Sequence, residues 1–216
     1  SPETKAKWVY LTESYELKEY SEVLGTLHWF YENAPDINVS LYQMGNEILS
    51  YVEKKEKDVI RKQVLRDSII WAYENRVKFF GDEANVYDRE GIVAFKYLYK
   101  QKEEDAHLYK LYSDIYKLKG NDMYIQNGKY YFNSAILMYS HKKIDKAEVI
   151  DVYEKVEAFY NYSKKIYVDK PATLSFIDAT MKSDAQLFEK YIHLNCEEIE
   201  SIYGETYNRT KELALA

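Results

Sequence analysis

Apolar residues recur at three- and four-residue intervals along this chain, and strand-like alternation over five or more residues is nearly absent. The pattern predicts an all-α protein of about nine to ten helices. The first helix is expected over residues 2–17, with Ser1 as N-cap, Pro2 in the first turn, Glu3 at the positive helix end, and Trp8, Leu11 and Tyr15 on one face. After a turn at Lys18 and Glu19, a second helix over residues 20–33 buries Val23, Leu24, Leu27 and Phe30 and stops at Pro35. The third opens at Asn38 and carries Leu41, Met44, Ile48 and Val52. The charged run 53–58 reads as a solvated helix end and turn. The fourth helix is expected to bury Ile60, Val64, Ile69, Tyr73, Val77 and Phe80, and to end at Gly81, where a left-handed backbone costs little.

The same reading places a fifth helix over 83–101 and a sixth over 103–119, the latter ended by Gly120. A seventh carries Tyr131, Ala135, Met138 and Tyr139. Asp145 followed by Glu148 has the capping-box spacing and opens an eighth, with Val149, Val152, Val156, Phe159 and Tyr160 inside. Pro171 interrupts that helix or starts a ninth, and a last helix is expected over 185–203, ended by Gly204. Helices thus come in pairs that begin near residues 2, 39, 84 and 123, spaced 37 to 45 residues apart. Two helices per period of this length is the signature of a helical-repeat solenoid, in which neighbouring hairpins stack to bury faces that none can bury alone. The expected architecture is therefore one domain, residues 1–216, of antiparallel hairpins in a right-handed solenoid, with units at 2–35, 39–81, 84–120, 123–168 and 171–214. The alternative is a non-repetitive bundle.

Composition narrows the picture. Only 7 Gly and 3 Pro in 216 residues leave the helices uninterrupted, and 24 Tyr suit a thin stack with much half-buried surface, because a Tyr ring packs while its hydroxyl still reaches water. The net charge is −6 and only 5 of the 30 basic residues are Arg, which argues against nucleic acid as a partner. No run approaches the ~18 apolar residues of a membrane helix. The single cysteine, Cys196, excludes an internal disulfide and a Cys-based zinc site and reads as a small packed side chain. The chain starts at Ser1 with neither an initiator Met nor a hydrophobic signal segment, so export is neither read nor excluded.

Trp8, Leu11, Thr12 and Tyr15, followed by Tyr20, Val23, Leu27, Phe30 and Pro35, resemble a degenerate tetratricopeptide (TPR) repeat. Thr, Val and Phe stand where that pattern has small residues. Gly45 and Gly91 take the small position of the second and third units, where they predict close helix contact. Residues 8–165 further resemble a group of uncharacterised bacterial TPR-containing proteins. The resemblance is carried by Tyr73-Glu74-Asn75-Arg76, Phe80-Gly81-Asp82-Glu83, Val86, Arg89 and Gly91, with Tyr31 to Pro35 before them and Lys146 to Val156 after. Ala84 departs from the Gly usual there. The resemblance implies no enzymatic activity, a periplasmic or cell-envelope location, and a longer parent chain of which this is a fragment or a shortened member.

Candidate chemistry is sparse. Glu104-x-x-His107 has the spacing of di-iron carboxylate helices, but a second such motif is missing, so it reads as a surface pair. Glu189 and His193, four apart, could clamp a metal but have no third ligand in the sequence pattern. His28 reads as a packed histidine and His141 as a helix C-terminal one. Gly-rich phosphate loops and a marked nucleophile are absent, so no catalytic residue, cofactor or metal is assigned. If helix A of each unit lines a concave groove, the groove-facing candidates are Tyr42 and Asn46 in the second unit and Asp88, Ile92 and Phe95 in the third. These suit an extended or helical peptide. The expected function is a non-enzymatic scaffold for an unidentified protein or peptide. The alternatives are a structural spacer of a longer envelope protein and a metal-binding helical enzyme around His107 and His193.

Overall fold

The structure is a computed structural model that describes residues 1–193. Those residues are all-α, with nine helices and no strand among them. None of these helices is long and apolar enough to cross a membrane. Two compact units are present, divided between Tyr130 and Tyr131.

The first unit opens with α1 (Pro2–Glu16), whose N-terminus is closed by Ser1 Oγ accepting from the Thr4 amide. The second helix, α2 (Leu24–Asn33), starts four residues later than the apolar pattern predicts. Residues 20–23 form turns instead, yet Tyr20 and Val23 remain buried, so the apolar spacing reports burial here and not helix. α3 (Ser40–Lys55) begins just after Asn38, whose Oδ1 accepts from the Ser40 amide at 2.9 Å. α4 (Val59–Phe80) is capped by Asp58, which accepts from the Arg61 amide, and it ends at Gly81 with φ +69°. α5 (Glu83–Leu98) is followed by a short 3-10 turn, Lys102–Glu104, and α6 (Asp105–Lys119). Each helix from α1 to α6 packs on the next, most extensively α3 on α4 and α5 on α6, so the hairpins α3–α4 and α5–α6 are real and the α4–α5 contact joins them.

The two mid-helix glycines sit where backbones approach. A Cβ on Gly45 would overlap the Tyr31 hydroxyl of α2, and one on Gly91 would lie 2.6 Å from Asn127 Oδ1 and 2.9 Å from Ile115 Cδ1 of α6. Close contact at both positions matches the sequence expectation. Two other expectations are corrected. Glu53, read as part of a solvated charge run, is buried, with Arg66 Nε 2.8 Å and Lys62 Nζ 3.9 Å from its Oε1. Arg66 also lies over the Tyr97 ring, so the carboxylate is desolvated only together with its cation. On α4, Ile69 is buried as expected, but Ile60 and Val64 are exposed; the buried residues are Leu65, Ile69, Ile70, Ala72 and Arg76, so the stripe is rotated from the predicted one.

α7 (Ile125–Ser140) spans the boundary between the units. In the second unit, α8 (Lys146–Ile166) is capped as expected by Asp145, which accepts from the Glu148 amide at 2.9 Å. Pro171 starts α9 (Pro171–Tyr191), where its missing N–H would be unpaired in any case. α8 and α9 pack through Tyr153 stacked on Phe188, at 4.4 Å between centroids, and through the Tyr160 hydroxyl donating to Asp184 at 3.4 Å. The expected helix start at 185 is corrected, because Ala185 lies inside α9 with no break beside it. The rest of that predicted helix, Gly204 and Cys196 lie outside the described residues.

Candidate functional site

Three helices of the first unit bring ionisable side chains to one point. Glu90 of α5 is 1% exposed, and neither carboxylate oxygen has a hydrogen-bond partner. Across from it, His107 of α6 places Nε2 3.9 Å from Glu90 Oε1 and 3.8 Å from Oε1 of the half-exposed Glu74 on α4. The other ring nitrogen, Nδ1, lies 3.3 Å from Glu104 Oε2, three residues back at the entrance to α6. The donor atoms of Glu74, Glu90 and His107 all fall within 4.8 Å of one another. A cleft of about 330 Å³ opens onto them, with Tyr87, Lys110, Leu111 and Asp114 on its other walls.

Burial pushes the Glu90 carboxyl above the usual carboxylate range; His107 opposes that rise and Glu74 adds to it. His107 is in turn raised, chiefly by its pairing with Glu90, against the effect of its own burial, with Glu74 and Glu104 helping. The nearby Lys110 ammonium is held by Asp114 at 2.5 Å, so it is engaged elsewhere. The reading of Glu104 and His107 as a surface pair is thus incomplete. Residue spacing could not reveal Glu74 and Glu90, which reach His107 only because α4, α5 and α6 pack together.

A second feature lies between α2 and α4. A cleft of about 480 Å³ is lined by His28, Tyr31, Glu32, Val64, Asp67, Ser68 and Trp71. His28 was expected to be packed; it is exposed and forms one wall. Trp71 packs against Tyr31 at 4.9 Å and remains 38% exposed.

The five groove candidates fare differently. Tyr42 is fully buried, stacked on Tyr31 at 5.5 Å and on Phe79 at 6.4 Å, so its expected exposure to a ligand is corrected. Asp88 is also buried, and its role is structural: Oδ1 accepts from the Tyr124 amide at 2.9 Å and from Asn127 Nδ2 at 2.6 Å, fastening the start of α7 to α5. Phe95 is half-buried and stacks on Tyr99 and on Tyr130, at 5.3 and 4.7 Å. Asn46 on α3 and Ile92 on α5 are half-buried, and none of the five lines either cleft above. Glu189 is exposed near the end of α9, while His193 lies beyond that end, off the helical path their spacing assumes. No protein-family model matches the chain, and no curated protein or solved structure matches it.

Proposed function

We propose that this chain is a non-enzymatic, TPR-like helical scaffold that binds an amphipathic peptide segment of another protein. One observation carries the reading: α4 is apolar on two faces. Leu65, Ile69 and Ala72 face the core, while Ile60 (76% exposed), Val64 (58%) and Trp71 (38%) follow one another at helical spacing on the outer face. Val64 and Trp71 line the α2–α4 cleft, with Ile60 one turn before Val64, and exposed apolar side chains clustered in this way mark binding surfaces more often than singly scattered ones do. Stacked hairpins with glycines at the close contacts support the repeat reading. The docking surface differs from the groove expected from the sequence: it is the α2–α4 cleft, whose rim carries Glu32 and Asp67. A complementary segment therefore presents apolar side chains flanked by Lys or Arg.

The test is to pan a random peptide library on the immobilised chain and follow Trp fluorescence on adding the selected peptides. Enrichment of apolar-basic sequences, lost in a Val64→Asp, Trp71→Ala double variant that melts like the parent, is the expected result. A library that yields no enrichment, or peptides that bind the double variant equally, overturns the reading.

A further inference from the structure

We propose that Glu74, Glu90 and His107 bind a divalent transition-metal cation of the Zn2+ type, with Glu104 orienting the histidine. The proposal is independent of the peptide cleft, since no residue is shared. Its starting point is Glu90. A carboxylate withdrawn from water needs hydrogen bonds or a cation in return. Glu90 has no hydrogen-bond donor on either oxygen, and His107 Nε2 stands 3.9 Å away, beyond hydrogen-bond reach. The side chain is aimed into a cluster whose three donor atoms come from three different helices.

The histidine is set up as a ligand. With Nδ1 facing the Glu104 carboxylate at 3.3 Å, the ring proton belongs on Nδ1, which leaves the Nε2 lone pair toward Glu74 and Glu90. A carboxylate behind a ligating imidazole is the usual way that tautomer and ring orientation are held. A cation about 2.0–2.2 Å from each donor would set tetrahedral donor–donor separations of about 3.3–3.6 Å. The 3.8 Å separation contracts to that by a small movement of the half-exposed Glu74, and the 3.9 Å separation by a small rotation of the His107 ring toward Glu90. One imidazole with two carboxylates favours Zn2+ and its neighbours over Mg2+ and Ca2+, which prefer oxygen alone. The adjoining cleft leaves room for water as a further ligand.

The experiment is isothermal titration of the chelator-stripped chain with ZnCl2, with MgCl2 and CaCl2 as comparisons. One Zn2+ per chain is expected, with weaker or no heat from the other two. Glu74→Gln sits on a half-exposed side chain and keeps the fold; it should lose at least about tenfold in affinity, and Glu104→Gln about 10–100-fold. Glu189→Gln, on α9, is the control and should bind as the parent does. Zn2+ uptake no greater than trace, or uptake that Glu74→Gln and His107→Gln leave unchanged while circular dichroism shows both folded, overturns the proposal.

Discussion

At the scale of single residues, glycines show how little of their role is local. Gly91 sits in the middle of α5, where Ala is favoured by about 1 kcal/mol, and Gly25 in the first turn of α2. A Cβ on Gly25 meets nothing within 4 Å, so Gly25→Ala is expected to raise stability by up to about 1 kcal/mol. A Cβ on Gly91 meets Asn127 and Ile115, and Asn127 cannot step aside without releasing its bonds to Asp88. Gly91→Ala is therefore expected to cost about 1–3 kcal/mol, the usual range for overpacking. Urea unfolding of both variants checks the opposite signs.

At the scale of one helix, α4 tests the two-faced reading. Ile60→Lys is expected to change stability by no more than about 0.5 kcal/mol, because the side chain is already in water. Ile69→Lys should unfold the first unit or nearly so, since it would bury an unpaired ammonium at a 1% exposed position. Thermal melts of the two variants decide it; equal losses would mean that both faces are packed. The misassigned stripe has a simple origin. With Ile60, Val64, Leu65, Ile69, Ile70 and Val77 on one helix, helical periodicity is satisfied by more than one face, and only the α3 and α5 neighbours choose between them.

Across the molecule, the abundant tyrosines link stability to alkaline pH. Burial raises Tyr31, Tyr112 and Tyr160 well above the ordinary phenol range, and Tyr42 is pushed up to about 12, also mainly by burial. Tyr15 rises to about 12 chiefly through its hydrogen bond to Glu47. A folded-state pKa above the unfolded one means that the folded chain keeps protons the unfolded chain releases. The stabilisation is complete below the unfolded value of about 10 and is lost as pH climbs from there, at about 1.4 kcal/mol per pH unit for each buried tyrosine. Melting temperature against pH should be level on the alkaline side up to about 10 and then fall steeply; a curve still level at about 11 would contradict it.

The helices of the described residues, the caps at Ser1 and Asp145, and the stop at Gly81 follow from neighbours within a few residues, because capping and helical hydrogen bonds are themselves short-range. Gly45 and Gly91 were legible for a related reason: a costly residue in mid-helix needs a steric cause. The α2 start was not, since Tyr20 and Val23 are buried from a turn and their spacing imitates a helix. Asp88 looked like a ligand contact because a sequence cannot show that Tyr124 and Asn127 lie opposite it. Local order was thus determined by the residues in series. Which faces are dry, and which acidic side chains beyond the nearby Glu104 meet His107, was decided only when α4, α5 and α6 packed, because partners far apart in sequence are chosen by the fit of whole helix surfaces.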